Sequence, residues 1–342
     1  FANGVNRIVY HRYAHQPWTS HHAYPGMTMG YWGTHFERTQ TWWDFAFDWI
    51  KYQTRCQYML QEGVFKADFL LYTGSSVPQF PKFAVCNGRN VIPEGYAFDF
   101  IEKSLLDKLE KTDDGFIKAP GGTKYRFIAV PDDEKDIPAT GFKTVRYSDI
   151  LKTLEEMGVK PSLQDVSDAP STNFSWISRS YAEGRSEAWF VANGSTNHVS
   201  KRIVLSASVR SAPQLWCAET GKREALRHNI LSDGRVEVSF DLAPLASAFI
   251  VFDGLCKEPL AAVKKETISE YELKGAWTVK FKEPRRGTRP ELALDSLQDL
   301  STHSDNDIRF FSGVMVYEKT FSLPLPQLEK CDSVMLDLGD VA

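Results

Sequence analysis

Apolar positions in the first third of the chain change period twice. Residues 5–10 form a short apolar run interrupted by Asn6 and Arg7, the pattern of a buried strand. From Trp42 onward, Trp42, Phe45, Trp49, Tyr52, Cys56 and Met59 recur in steps of three and four. That spacing places them on one face of a helix over 42–60. Thr41 followed by Asp44 gives it a capping-box-like start, and Gly63 sits where a C-cap belongs. Residues 67–72 (ADFLLY) form a second buried-strand candidate, ending in Thr73-Gly74-Ser75-Ser76. A helix is predicted over about 99–111, with Phe100, Leu105, Leu106 and Leu109 as its apolar face. After the Asp113-Asp114-Gly115 turn, residues 116–119 and 124–130 read as a hairpin around Gly121-Gly122. A further helix over 148–157 ends at Gly158. Alternating strands and helices indicate an α/β unit with a parallel sheet, although two helices barely cover one face of it.

From Phe174 the period changes to short strands. Residues 175–179 and 188–191 flank Glu183-Gly184-Arg185, a hairpin signal, and the runs 202–205, 214–217, 236–240 and 248–252 follow. Turns at Asn193-Gly194, Thr220-Gly221 and Asp233-Gly234 separate them, as in an antiparallel sandwich. Residues 255–273 read as a charged connector. A second β segment starts near Trp277 and includes 313–321, like the front half of a jelly roll. The expected fold class is therefore multidomain, α/β plus all-β.

Length and charge narrow the function classes. The 342 residues allow two to four domains, and the net charge of −4 gives non-specific nucleic-acid binding no electrostatic support. No apolar run approaches the ~20 residues of a membrane span. Neither nucleic acid nor membrane is expected as a partner. Five scattered cysteines with no CxxC pair suggest neither a zinc site nor a disulfide framework. Asn173-Phe174-Ser175 and Asn193-Gly194-Ser195 match the glycosylation sequon. The chain opens on Phe1 and closes on a strand-like run, so both ends read as cut.

The candidate chemistry lies between the first strand and the first helix. Some thirty residues connect them, against a usual connection of about 4–6, and loops of that length are commonly functional. This one carries His11, His15, His21, His22 and His35, five of the eight histidines in the chain. Trp18, Tyr24, Tyr31, Trp32 and Phe36 lie among them, too aromatic a set for disorder. Sugars offer hydroxyls to neutral hydrogen-bonding groups and C–H faces to rings, and this loop supplies both. The substrate-binding candidates are His11, His15, Trp18, His35, Arg38, Trp42 and Trp43. A helix cannot bury both tryptophans, so one is expected to pack and the other to form a sugar platform. Glu37 is the loop's carboxylate, read more simply as an ion pair with Arg38 than as a reacting group. Asp44 reads as a helix-start charge and Asp99, with Tyr96, as a cap. His11 and His15 are four apart, but Pro17 argues against the helix that a metal-binding HExxH pair needs.

The stretches GVNRIVYHRYAHQPW, YPGMTMGYWGTHFERTQTWW and YMLQEGVFKADFLLYTG resemble the C-terminal end of the catalytic region of glycoside hydrolase family 106 α-L-rhamnosidases. VIPEGYAFDFI, QLWCAETG, SAFIVFDG and FFSGVMVYEKTF extend the resemblance with less specific motifs. The resemblance implies a (β/α)8 catalytic barrel of which 5–10 is the last strand and 42–60 the closing outer helix. The implied domains are 1–65, the C-terminal strand, loop and helix of that barrel; 66–165, a small α/β module; and 166–255, a β-sandwich. A linker at 256–275 and a partial galactose-binding-like β-module at 276–342 follow. It implies an inverting hydrolase that removes terminal rhamnose from plant or microbial glycans, with a calcium ion near the sugar hydroxyls and a secreted or periplasmic location. The partners are then a glycan or rhamnoside substrate and the remainder of the chain's own barrel, on which both catalytic carboxylates are expected. Residues 131–138 join segments that a further strand and helix would be expected to separate. A non-catalytic carbohydrate-binding protein is the alternative reading.

Overall fold

In the computed structural model the described residues are 1–11, 13–17, 26–27, 30, 35–38, 40, 42–74, 85–86, 89–90, 92–135, 139–168, 173–255, 269–282, 289–311, 313–322 and 334–338. They fall into two compact units. The first comprises Phe1–Ile8 and Asp48–Val263, the second Val9–Phe47 and Lys264–Ala342. The chain is mostly β-structure, and no closed barrel forms among the described residues.

In the first unit, strands Thr144–Arg146, Ile128–Val130, Phe69–Tyr72 and Phe98–Ile101 lie side by side in that order, all parallel. Phe69–Tyr72 is buried at all four positions, as a parallel strand covered on both faces must be. Phe69 and Leu71 pack with Phe127, Ala129 and, from helix α2 (Ile150–Glu156), Ile150 and Leu154. The rings of Phe69 and Phe127 stack with centroids 5.3 Å apart. Leu70 and Tyr72 face Ile128, Val130 and Leu106 on the other side. The helix expected over 99–111 is not one: its first residues pair with Phe69–Tyr72 as part of the strand Phe98–Ile101, and only Lys103–Lys108 turns, as a 3-10 helix. The predicted hairpin pairs Ile117 with Tyr125 and Lys118 with Lys124, after which the chain leaves it to enter the parallel sheet. Residues 131–143 carry the chain to its parallel neighbour without an intervening strand or helix among the described residues.

The sandwich follows. Its larger sheet has the order Val64–Phe65, Phe174–Tyr181, Ser186–Asn193, Ser247–Asp253, Pro213–Trp216, Arg223–Ala225. Its smaller sheet has the order Leu163–Asp165, Val199–Leu205, Val236–Leu242, His228–Ile230, and every pairing in both is antiparallel. Trp189, Val191, Ile250 and Phe252 meet Ile203, Leu205, Val238 and Phe240 between the sheets. An ordinary sandwich strand would alternate buried and exposed. Here Ser247–Asp253 is buried at its first six positions, because the sheet is covered on its outer face too. The cover is helix α1, Ala46–Gln61, whose Cys56 and Leu60 pack on Ala188, Phe190, Phe249 and Val251.

Residues 5–10, expected as a strand, join no ladder. They are held by side chains of α1 instead: Gln57 accepts the Ile8 N–H at 2.8 Å, and Gln61 donates to the Asn6 carbonyl at 2.9 Å. In the second unit, Leu292–Leu294, Trp277–Lys282 and Val314–Glu318 form a three-stranded antiparallel sheet over Val279, Phe281, Leu294 and Leu300. Most of the expected connector, 256–268, lies outside the described residues. No helix among the described residues is long and apolar enough to cross a membrane.

Candidate functional site

The loop ahead of α1 has a short backbone frame. Tyr13 bridges Phe36 in parallel and His15 bridges Met27 antiparallel, so the segment around 13–16 lies between two others. Met27 donates to the His15 carbonyl at 2.8 Å. Gly26 makes this approach possible: at φ +98° a Cβ there would stand 2.6 Å from the His15 carbonyl oxygen. In an extended segment side chains alternate between faces. His11, Tyr13 and His15 are exposed, whereas Ala14 is buried and Gln16 half-buried.

An aromatic chain ties the ends of the loop together. Tyr10 lies against Phe36 at 4.5 Å between centroids, Phe36 against Trp42 at 5.9 Å, Trp42 against Trp43 at 5.7 Å, and Trp43 against Tyr13 at 5.7 Å. The expected division of the two tryptophans into one packed and one open does not occur. Both are half-buried, because a 3-10 turn over Trp43–Phe45 precedes the α-helix and lets both rings point into the cluster. Burial pushes the Tyr10 hydroxyl above its ordinary pKa.

Glu37 sits beneath this frame and is 1 % exposed. The Gln16 amide donates to its Oε2 at 2.6 Å, while the neighbouring Arg38 is exposed. Reading Glu37 through its neighbour Arg38 did not anticipate this burial or the contact with Gln16. The parallel bridge explains it, since Gln16 and Glu37 follow the two bridged residues, and no periodicity in the loop announces that bridge. His35 is half-buried, its Nε2 3.0 Å from the Gly30 carbonyl. Trp18, His21, His22, Tyr24, Tyr31 and Trp32 lie outside the described residues. The structure thus brings together Tyr10, Tyr13, Trp42 and Trp43 around Phe36, and Gln16 on Glu37.

Two acidic candidates are structural. Asp99 lies on a strand rather than at a helix entrance, and it accepts the Tyr125 hydroxyl at 3.1 Å. Asp44 lies in the first turn of the 3-10 helix ahead of α1, which makes no side-chain cap. Calcium asks for six to eight oxygen ligands. Among the described residues no three His, Cys, Asp or Glu side chains gather as a metal site, and the loop's donors are largely imidazole and indole.

Residues 1–147 match the family model for glycoside hydrolase family 106, described as alpha-L-rhamnosidase, so the resemblance read from the sequence holds over this part of the chain. A solved rhamnosidase from Novosphingobium sp. PP1Y superposes with a TM-score of 0.76 at 21 % identity, covering 94 % of this chain and 35 % of that one. This chain therefore shares the fold of the corresponding part of that protein. A protein of Formosa agariphila named "Putative beta-glucuronidase" is 27 % identical over 311 residues, covering 75 % of this chain and 25 % of its own length. The chain spans between a quarter and about a third of the length of these relatives.

Proposed function

We propose that this chain forms the sugar-facing loop and trailing modules of an inverting glycoside hydrolase that removes terminal α-L-rhamnose from a glycan. The observation that carries the reading is the loop itself. His11, Tyr13 and His15 stand exposed on one extended segment, while the alternate positions anchor it through the buried Gln16–Glu37 contact. This segment lies within the residues that match the rhamnosidase family.

Inversion needs two carboxyl groups on opposite sides of the anomeric carbon, ~6.5–9.5 Å apart. Glu37 is the one buried carboxylate among the described loop residues and is held by Gln16, so both members of the pair are assigned to other parts of the whole protein. The exposed imidazoles hold sugar hydroxyls, and Trp18, Trp42, Trp43, His35 and Arg38 complete the binding set. Glu37 is assigned as the positioning residue that fixes the segment carrying His15.

The test uses the full-length protein with an aryl α-L-rhamnoside, and an aryl β-glucuronide as comparison because the Formosa relative bears that name. A hydrogen bond to substrate is worth about 0.5–1.5 kcal/mol, rising to ~3 where a partner is left unpaired. His11→Ala and His15→Ala should each lower kcat/KM on the rhamnoside by roughly ten- to a hundredfold, with the melting temperature unchanged. Glu37→Gln should act mainly through KM, as expected of a residue that positions others. A collapse of kcat with KM unchanged would make Glu37 a reacting group instead. Unchanged kinetics in both histidine variants, or turnover of the glucuronide alone, would overturn the reading.

A further inference from the structure

Within the first unit a cleft of about 550 Å³ opens where the ribbon around Phe116, the turn after α2 and two sandwich loops converge. That is the size of an ordinary small-ligand site. In a chain of net charge −4 it collects Arg126, Lys160, Arg210 and Arg235 against the two carboxylates Asp114 and Asp233.

Pairing sorts these charges. Arg235 Nε binds Asp233 at 2.8 Å, Arg126 reaches back to Asp68 at 3.3 Å, and Asp114 is held by Lys124 at 3.0 Å. Lys160 and Arg210 form no ion pair among the described residues. The Arg235 backbone N–H and guanidinium, with Lys160 assisting, hold the Asp233 carboxyl below its usual range. Asp233 is thus an ionised partner already claimed.

Arg210 is fixed in place. Its Nη1 donates to the Gly234 carbonyl at 2.7 Å, and a Cβ on Gly234 would stand 3.3 Å from its Nη2. Gly234 also has φ +81°, so the turn needs glycine for both reasons. A guanidinium anchored through one nitrogen keeps its other donors for a planar anion, which it grips in a bidentate fork. Beside the cations the lining is apolar: Phe116 and Val159 are half-buried and Met157 is 42 % exposed.

We propose that this cleft binds an anionic polysaccharide, with a carboxylate or sulfate group on Arg210 and Lys160 and the C–H face of the sugar over Phe116 and Met157. The carboxylates Asp114 and Asp233 on the same lining repel anions, which leaves the anionic group to Arg210 and Lys160. The site is independent of the hydrolase reading, because the chain need not turn over its ligand to bind it.

The test is affinity electrophoresis and titration calorimetry of the full chain against polygalacturonate, chondroitin sulfate and a neutral galactan. Both anionic polymers or one should bind, more weakly as salt rises, and the neutral one should not. The preferred anionic polymer identifies the carboxylate or the sulfate as the group held. Arg210→Ala and Lys160→Ala should each weaken binding about tenfold or more, or about 1.4 kcal/mol or more, and the double variant further. Lys152→Ala/Lys222→Ala, with the same loss of charge elsewhere on the surface, should leave binding intact. Equal weakening by both pairs, equal binding of the galactan, or no binding of any polymer would overturn the proposal. A thermal melt of each variant separates loss of the site from loss of the fold.

Discussion

Lys201 is the residue whose position demands most of its surroundings. It lies on the sandwich strand Val199–Leu205 and is 2 % exposed, where an unpaired ammonium would be prohibitive. Asp165 answers it at 2.6 Å, and the Phe174 ring lies 5.0 Å from its Nζ. Burial pushes the Asp165 carboxyl up, but the hydrogen bonds from Lys201 and then Ser167 outweigh it, leaving the pKa below the ordinary value. A carboxyl depressed in the folded state stabilises the fold above its unfolded pKa of about 3.9 and loses that contribution as pH falls through the folded value. Asp165→Asn, which strands a buried cation, should cost about 3 kcal/mol at pH 7. In urea titrations the gap to the parent protein should be equal at pH 7 and pH 5 and narrow below about pH 4. A gap independent of pH would show that shape, not charge, makes the contact. The same scale corrects a motif. Asn193 matches a glycosylation sequon, yet it is buried and its Nδ2 donates to the Asn197 and Ala243 carbonyls. That amide closes a turn and is not available to a glycan.

At the scale of the element, α1 shows what periodicity reveals and what it withholds. Its steps of three and four make a helix legible, and Tyr52, Cys56 and Met59 of the predicted face do pack on the sheet, but Gln53 and Leu60 are buried as well while Phe45 stays 64 % exposed. Cys56, a small residue, sits fully buried against Ala188 and Phe249, whereas Phe45 and Phe47 stay exposed. Burial pushes the Cys56 thiol up to about 11, so it serves as packing rather than as a nucleophile. Leu60→Ala should therefore destabilise the first unit by about 2–5 kcal/mol. Tyr58→Ala, at a position 67 % exposed, should change stability by no more than about 0.5 kcal/mol. Chemical denaturation of both variants checks this, and equal effects would detach α1 from the sheet. The strand Phe98–Ile101 was less legible. Leu105, Leu106 and Leu109 follow at helix-like spacing, and only the parallel register Phe69↔Phe98 decides for a strand. Register is a tertiary fact, so a local pattern cannot supply it. The sandwich hairpin was readable because its turn signal, Glu183-Gly184-Arg185, is local, although the positive φ of Ala182 and Glu183 beside Gly184 is not something those two residue types announce.

For the larger unit as a whole, the question is whether the parallel sheet and the sandwich unfold together. Their junction is short and polar, built on the segment 161–163. The Gly95 carbonyl accepts from Ser162 N–H at 2.7 Å and Leu163 N–H at 3.2 Å, and the Tyr96 hydroxyl donates to the Val159 carbonyl at 3.0 Å. On the sandwich side, Trp189 Nε1 donates to Ser162 Oγ at 3.3 Å, Ser206 N–H to the Ser162 carbonyl at 3.0 Å, and Ser206 Oγ to the Pro161 carbonyl at 2.6 Å. Ser162 and Leu163 are thus held from both modules, Leu163 also pairing with Leu205 in the sandwich, which couples the two cores. Gly95 cannot be replaced without breaking that grip: it has φ +81°, and a Cβ would stand 2.1 Å from the Leu163 carbonyl oxygen. The left-handed conformation alone costs a side chain ~1–2 kcal/mol, and the collision adds to it. Gly95→Ala should lower the stability of the unit by about 2 kcal/mol or more. Hydrogen exchange should show protection falling together in Phe69–Tyr72 and Val199–Leu205, strands from the two different cores. If only the parallel sheet loses protection while the sandwich keeps its own, the modules are independent folding units that merely touch. An unchanged exchange pattern in both would show that the junction bears no part of the stability.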